Sequence, residues 1–218
     1  MRHLLRLTVL LCACAVLTAP AAAGPSTNEQ IRRHLWQAAV RVEVDLPTRR
    51  ALCTGWIGYS DSVRSAVYTA AHCYREGAQY RITLDTGDAQ VATSVTRWPE
   101  VDLMALWISK GNLRALRSWK RLPEGPFRAV YVVRARDGPL TLTETLVERV
   151  YREIRFDNYP SAVAVPAYSR PGTSGAPILD LADGLLVGMV IGYANERPDV
   201  AAVIPAELIY EVLSAAVR

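Results

Sequence analysis

The chain has 218 residues, 50% of them hydrophobic and 21% charged. That is ordinary globular composition, with enough length to bury a core as one domain or two small ones. Its 25 basic and 21 acidic residues give a formal net charge of +4. The nearest thing to a basic cluster is Arg114, Arg117, Lys120 and Arg121 around Trp119. It reads as a solvated face, since a nucleic-acid or anionic-membrane surface needs a longer stripe and a recognisable module.

Residues 1–23 read as a secretory signal peptide outside the fold. Arg2, His3 and Arg6 form a positive start, residues 7–17 are apolar, and small residues precede a cleavage point between Ala23 and Gly24. The apolar run is short of the roughly 20 residues a bilayer span needs, so no stable membrane insertion is expected. Leu11-Cys12-Ala13-Cys14 leaves a lipid anchor at Cys14 as an alternative. The expected location is secreted or periplasmic. Cys12 and Cys14 leave with the signal, so the mature chain keeps Cys53 and Cys73. Two cysteines in an exported chain usually pair, with two buried free thiols as the alternative.

Ser26 followed by Glu29 reads as a capping box, which predicts a short helix over residues 28–37 with Ile31, Leu35 and Trp36 on one face. His34 beside that stripe reads as a structural or surface histidine. The period then becomes strand-like. Residues 39–46 alternate apolar and polar, and short strand-like runs follow at 52–59, 64–70, 80–84, 91–96 and 103–108, separated by turn residues. Residues 116–127 read as a connection. Strand-like runs resume at 129–134, 140–150, 162–165, 176–181, 185–192 and 200–204. The stretch from about 206 reads as an amphipathic helix packing back on the second half. Regular short strands with turn signals indicate an antiparallel sandwich or barrel.

Three segments carry chemistry. Thr69-Ala70-Ala71-His72-Cys73 places a histidine after a strand. Val101-Asp102-Leu103-Met104-Ala105-Leu106 opens an apolar strand with a carboxylate. Gly172-Thr173-Ser174-Gly175-Ala176-Pro177 sets a serine in a glycine-flanked turn. A serine hydroxyl is a weak nucleophile and needs a base within hydrogen-bond reach. Histidine suits that task near neutrality. A buried carboxylate then holds the imidazole tautomer and stabilises the imidazolium that forms. The glycines let the backbone aim N–H groups, those of Gly172 and Ser174, at one oxyanion.

These segments resemble the chymotrypsin-like serine proteases. Residues 69–73 match the family's T-A-A-H-C motif, residues 102–106 are similar to its D-[IL]-A-L-[IL] motif, and residues 172–177 match G-x-S-G-x-P, in the family's order. The resemblance spans the mature chain. It implies two six-stranded antiparallel β-barrels, over residues 38–115 and 128–205, with short N-terminal and C-terminal helices and the site in the cleft between barrels. His72, Asp102 and Ser174 would form the triad. Cys53 and Cys73 occupy the positions of the histidine-loop disulfide. The segment 200–205 resembles the F-A-I-P region of HtrA-type proteases, without a following PDZ domain. Protein or peptide substrates are implied, with no metal, no cofactor and no nucleic acid.

Two departures matter. Thr173 stands where zymogen-activated members carry aspartate, and no I-V-G-G start is present, so activation by an inserted N-terminus is not expected. Ala176 replaces a glycine. The resemblance also points to a specificity pocket including Tyr168, Val190, Gly192 and Asp199. Tyr168 in place of aspartate argues against cleavage after Arg or Lys, and a second half without histidine argues against Glu. Small or medium apolar side chains are the expected preference. Two other classes compete. One is a double barrel that has become a binding or chaperone-like module. The other is an α/β-hydrolase esterase, which the order His, Asp, Ser disfavours.

Overall fold

The computed structural model describes residues 27–134, 138–154, 156, 158–194 and 197–215. Residues 1–23, with Cys12 and Cys14, lie outside the described residues. Helix α1 (Asn28–Ala38) starts at Thr27, whose hydroxyl accepts from Gln30 N–H while the Gln30 side chain accepts from Thr27 N–H. The capping box is therefore Thr27/Gln30, not the expected pair beginning at Ser26. Ile31, Leu35 and Ala38 are buried, whereas Trp36 stays 38% exposed, off the face assigned to it. His34 is half-buried, and burial holds its imidazole below the usual histidine range.

Seven strands make the first antiparallel sheet: β1 (Ala39–Leu46), β2 (Arg49–Ser60), β3 (Ser65–Ala70), β4 (Gln79–Thr83), β5 (Ala89–Val91), β6 (Ser94–Trp98) and β7 (Leu103–Ile108). Their order is β5-β4-β1-β2-β3-β7-β6. Six strands were expected. The seventh arises because the single run 91–96 divides into β5 and β6. Only two residues separate them, yet they pair with opposite ends of the sheet. Ala92 N–H donates to Tyr80 O and Thr93 N–H to Trp107 O, so the partner changes between adjacent residues and the sheet curls round on itself.

Six strands make the second antiparallel sheet: β8 (Phe127–Arg134), β9 (Leu140–Val147), β10 (Val163–Pro166), β11 (Ala176–Asp180), β12 (Leu186–Ala194) and β13 (Arg197–Pro205), in the order β10-β13-β12-β11-β8-β9. Its ends also approach. Thr145 Oγ1 donates to Pro166 O, and Tyr151 exchanges two backbone bonds with Ala164. Two curled antiparallel sheets with two helices make the chymotrypsin-like two-barrel architecture that the motifs imply. Both sheets fill one connected core in which Trp56, Tyr131, Leu103, Met104, Ile178 and Leu186 are fully buried.

Three features tie the barrels, the connection between them and the two helices together. Arg32 of α1, which runs directly into β1, pairs with Glu144 of β9. In the connection between barrels, Lys120 Nζ pairs with Asp180 at 2.7 Å and Asp183 at 2.6 Å. Helix α2 (Ala206–Ala215) buries Ile209, and Tyr210 stacks on Trp119 with ring centroids 5.0 Å apart. Its expected end, residues 216–218, falls outside the described residues. Among the described residues no helix is long and apolar enough to cross a membrane.

Candidate active site

The first barrel supplies a histidine–carboxylate pair. Strand β3 ends at Ala70 and the chain makes one 3-10 turn, Ala71–Cys73, carrying His72 at its middle. The Cys53–Cys73 disulfide ties that turn to β2. Asp102 sits directly before β7 in the left-handed region, φ 49° and ψ 38°. A non-glycine residue there is strained and persists only where its surroundings impose it. The surroundings here are explicit. Asp102 O accepts from Ala71 N–H at 2.8 Å, Asp102 Oδ1 from His72 N–H at 2.7 Å, and Asp102 Oδ2 lies 2.7 Å from His72 Nδ1. A carboxylate only accepts, so the proton sits on Nδ1 and Nε2 is left as the basic nitrogen. Asp102 is 6% exposed, while the imidazole reaches toward the cleft.

The second barrel supplies the serine turn. Arg170-Pro171-Gly172-Thr173 has proline second, a glycine at φ 97° third, and a bond from Thr173 N–H to Arg170 O at 3.0 Å. That is a type II turn, which needs a positive φ at its third residue. Gly175, at φ 90°, allows a close approach of the barrels: a Cβ there would collide with Thr54 O and the Thr69 hydroxyl. The turn thus rests against the strand ends that lead to His72. Gly175 N–H donates to Val190 O and Ala176 N–H to Thr173 O. Among the described residues, the N–H groups of Gly172 and Ser174 donate to nothing, although Gly172 is buried and Ser174 partly so. Buried backbone donors are almost always paired. Two unpaired ones in the turn that carries the serine are free to hold a negatively charged oxygen.

Ser174 Oγ donates to Ile191 O on β12 at 3.2 Å, and among the described residues no hydrogen bond joins it to His72. Thr173 is fully buried with its hydroxyl unpaired, in keeping with a neutral residue at this position.

The residues assigned to a specificity pocket differ in exposure and partners. Val190 is completely buried and pairs with Ala176. Asp199 is an exposed strand residue, ion-paired with Arg197 at 2.8 Å. Tyr168 is 46% exposed, with Arg170 over its ring, and its carbonyl accepts from the buried Tyr131 hydroxyl. Gly192 follows Ile191, and a Cβ there would meet open space. One neighbour of the histidine was missed by sequence reasoning. Tyr159, on the loop before β10, has its ring centroid 5.6 Å from that of His72. Nothing local marks it.

The sequence model of the trypsin-like peptidase domain matches residues 53–189. No curated protein matches the sequence. Among solved structures, the serine endoprotease from Yersinia pestis is similar at 20% identity and a TM-score of 0.72, covering 88% of this chain and 66% of that one. The HtrA-type protease AlgW, solved with a tripeptide, is similar at 21% identity and a TM-score of 0.74, covering 87% of this chain and 63% of that one. The Rv3671c protease from M. tuberculosis, in its active form, is similar at 20% identity and a TM-score of 0.71, covering 88% and 87%. This chain thus spans just under two thirds of the first two. At these identities the structures speak for the fold. The match over residues 53–189 takes in the histidine, the carboxylate and the serine turn, and by it the chain belongs to the trypsin-like peptidase family.

Proposed function

We propose that the chain is an exported serine endopeptidase. Ser174 is its nucleophile, His72 its general base, Asp102 the group that orients His72, and Gly172 and Ser174 N–H its oxyanion donors. The observation that carries this reading is the pair of N–H groups, those of Gly172 and Ser174, unpaired among the described residues in a turn that is bonded through Ser174 O to the barrel holding the His72–Asp102 pair. A surface kept only for binding has no need to leave buried donors without acceptors.

The chemistry proceeds as follows. Ser174 Oγ turns about its Cα–Cβ bond from Ile191 O toward His72 and attacks the scissile carbonyl carbon. The hydroxyl proton passes to His72 Nε2. The carbonyl oxygen becomes an oxyanion held by the two N–H groups, each worth about 10²–10³ in rate. The C–N bond breaks as His72 protonates the leaving amine. Water, deprotonated by His72, then cleaves the acyl ester on Ser174. Asp102 stays ionised throughout and stabilises the imidazolium. Tyr168 and Gly192, neither of them acidic or basic, support a small or medium apolar side chain at the cleavage position, whereas Val190 is completely buried and does not bear on it. Asp199, held by Arg197, does not argue for a basic one. Buried Thr173 offers no carboxylate to a new N-terminus, which supports activity without zymogen cleavage. The disulfide supports export, since such bonds persist in oxidising compartments.

One observation favours a second reading, a latent or binding protein: the Ser174 hydroxyl is bonded to Ile191 O and not to His72. A fluorophosphonate probe decides between them. Labelling of the chain from Gly24, and none of Ser174→Ala, is the result expected of the peptidase. An unlabelled, natively folded wild type would establish the latent or binding reading instead.

A further inference from the structure

We infer that Thr54, a residue of the first barrel, is the positioning residue for the oxyanion donors of the second, and this rests on the peptidase reading above. Thr54 lies on β2, fully buried, next to the cysteine bonded to Cys73. Its hydroxyl donates to Gly172 O at 2.7 Å, and its N–H donates to Ser174 O at 2.8 Å. These are the carbonyls of the two residues whose N–H groups face the substrate oxygen. Thr54 is held in turn: Thr69 Oγ1, three residues before His72, donates to Thr54 O at 2.6 Å.

Peptide planes explain what this does. The Gly172–Thr173 plane is pinned at both ends, its C=O by Thr54 Oγ1 and its N–H by Arg170 O. The Ser174–Gly175 plane is pinned likewise, its C=O by Thr54 N–H and its N–H by Val190 O. The planes between and before them, Thr173–Ser174 and Pro171–Gly172, carry the two unpaired N–H groups. With their neighbours fixed, those donors cannot rotate to find other acceptors. Rigid donors cost no reorganisation when charge develops. The Gly172 pin is the vulnerable one, because it comes from a side chain and reaches across the barrel interface. A glycine turn released from it has an easy alternative, since glycine accepts either sign of φ. The oxyanion donors are thereby made to depend on the barrels being docked.

Thr54→Ser and Thr54→Ala remove the same methyl and differ only in the hydroxyl. The rate constant of fluorophosphonate labelling at Ser174 is to be measured for both and for wild type, with thermal melting alongside. Thr54→Ser is expected within about threefold of wild type, and Thr54→Ala at least tenfold slower, below the full loss of one donor because the donors remain present. On a chromogenic ester the loss should fall on kcat and leave KM within about twofold. Thr54→Val, which keeps the side-chain shape, should match Thr54→Ala and serves in its place if the alanine variant does not fold. Equal labelling of the serine and alanine variants, fast or slow, overturns the inference while leaving the peptidase intact. An unlabelled wild type overturns both.

Discussion

Tyr159 holds its ring 5.6 Å from the His72 imidazole at a tilt of 54°, reaching from the second barrel to the pair formed by the first. A second contact carries the same loop across, where Ser161 Oγ donates to Glu100 O, two residues before Asp102. Burial and, secondarily, the Asp102 charge push the Tyr159 phenol above its ordinary range, which agrees with its place over the pair.

The first prediction concerns that ring. It packs against the imidazole and limits how far the base can swing, so its loss acts on orientation and not on chemistry. Tyr159→Ala is expected to lower kcat/KM on a peptide substrate about tenfold. Tyr159→Phe is expected to stay near wild type, because among the described residues the hydroxyl makes no hydrogen bond. A Phe variant as impaired as the Ala variant would move the role from the ring to the hydroxyl.

The second prediction concerns Lys120, which joins the connection between barrels to β11. Asp180 is 4% exposed, and among the described residues its carboxylate has, besides Lys120, only the Ala182 N–H at 2.9 Å. Removing the ammonium strands a buried carboxylate, a far larger effect than loss of a surface pair. The Lys120 head group is partly solvated, which discounts the cost. Lys120→Met is expected to destabilise by about 2 kcal/mol. Adding Asp180→Asn should recover part of that, since no charge is then left unpaired. Strictly additive losses in the double variant, read by denaturant unfolding, would refute the stranded-charge account.

How far the sequence foretold this molecule depends on whether the cause was local. The alternation of residues 39–46 became the half-buried β1, and the apolar run after Asp102 became β7, buried at almost every residue, because each burial pattern is written in the strand itself. Of the three motif segments, His72 and Asp102 are hydrogen-bonded and Gly175 packs against Thr69, each segment being a short turn or strand end with its own residue requirements. The division of the run 91–96 was not legible. Ala92 and Thr93 carry no glycine or proline, and the switch exists only in their choice of Tyr80 and Trp107 as partners. Thr54 was equally invisible, since its hydroxyl acts on a carbonyl 118 residues away. The helix cap slipped by one residue because Ser26 and Thr27 are both competent caps, followed at the required spacing by Glu29 and Gln30.

The third prediction is a loss of stability in alkali traced to two phenols. Tyr131 is fully buried with its hydroxyl donating to Tyr168 O, and burial pushes it up to about 12. Tyr210, stacked on Trp119 with its hydroxyl toward Leu116 O, is pushed up to about 12 by the same cause. In the unfolded chain both ionise near 10. Between about pH 10 and 12 the unfolded state has therefore released protons that the folded state retains. Stability must fall as pH rises through that window, having been fully present below it. Melting temperatures from pH 8 to 12 should be flat at first and then decline. The double variant Tyr131→Phe/Tyr210→Phe, whose neutral rings fill the same space, should start lower for the lost hydrogen bonds and decline less steeply. An alkaline decline of the same slope in that variant would assign the loss to other groups, and the two buried phenols would no longer account for it.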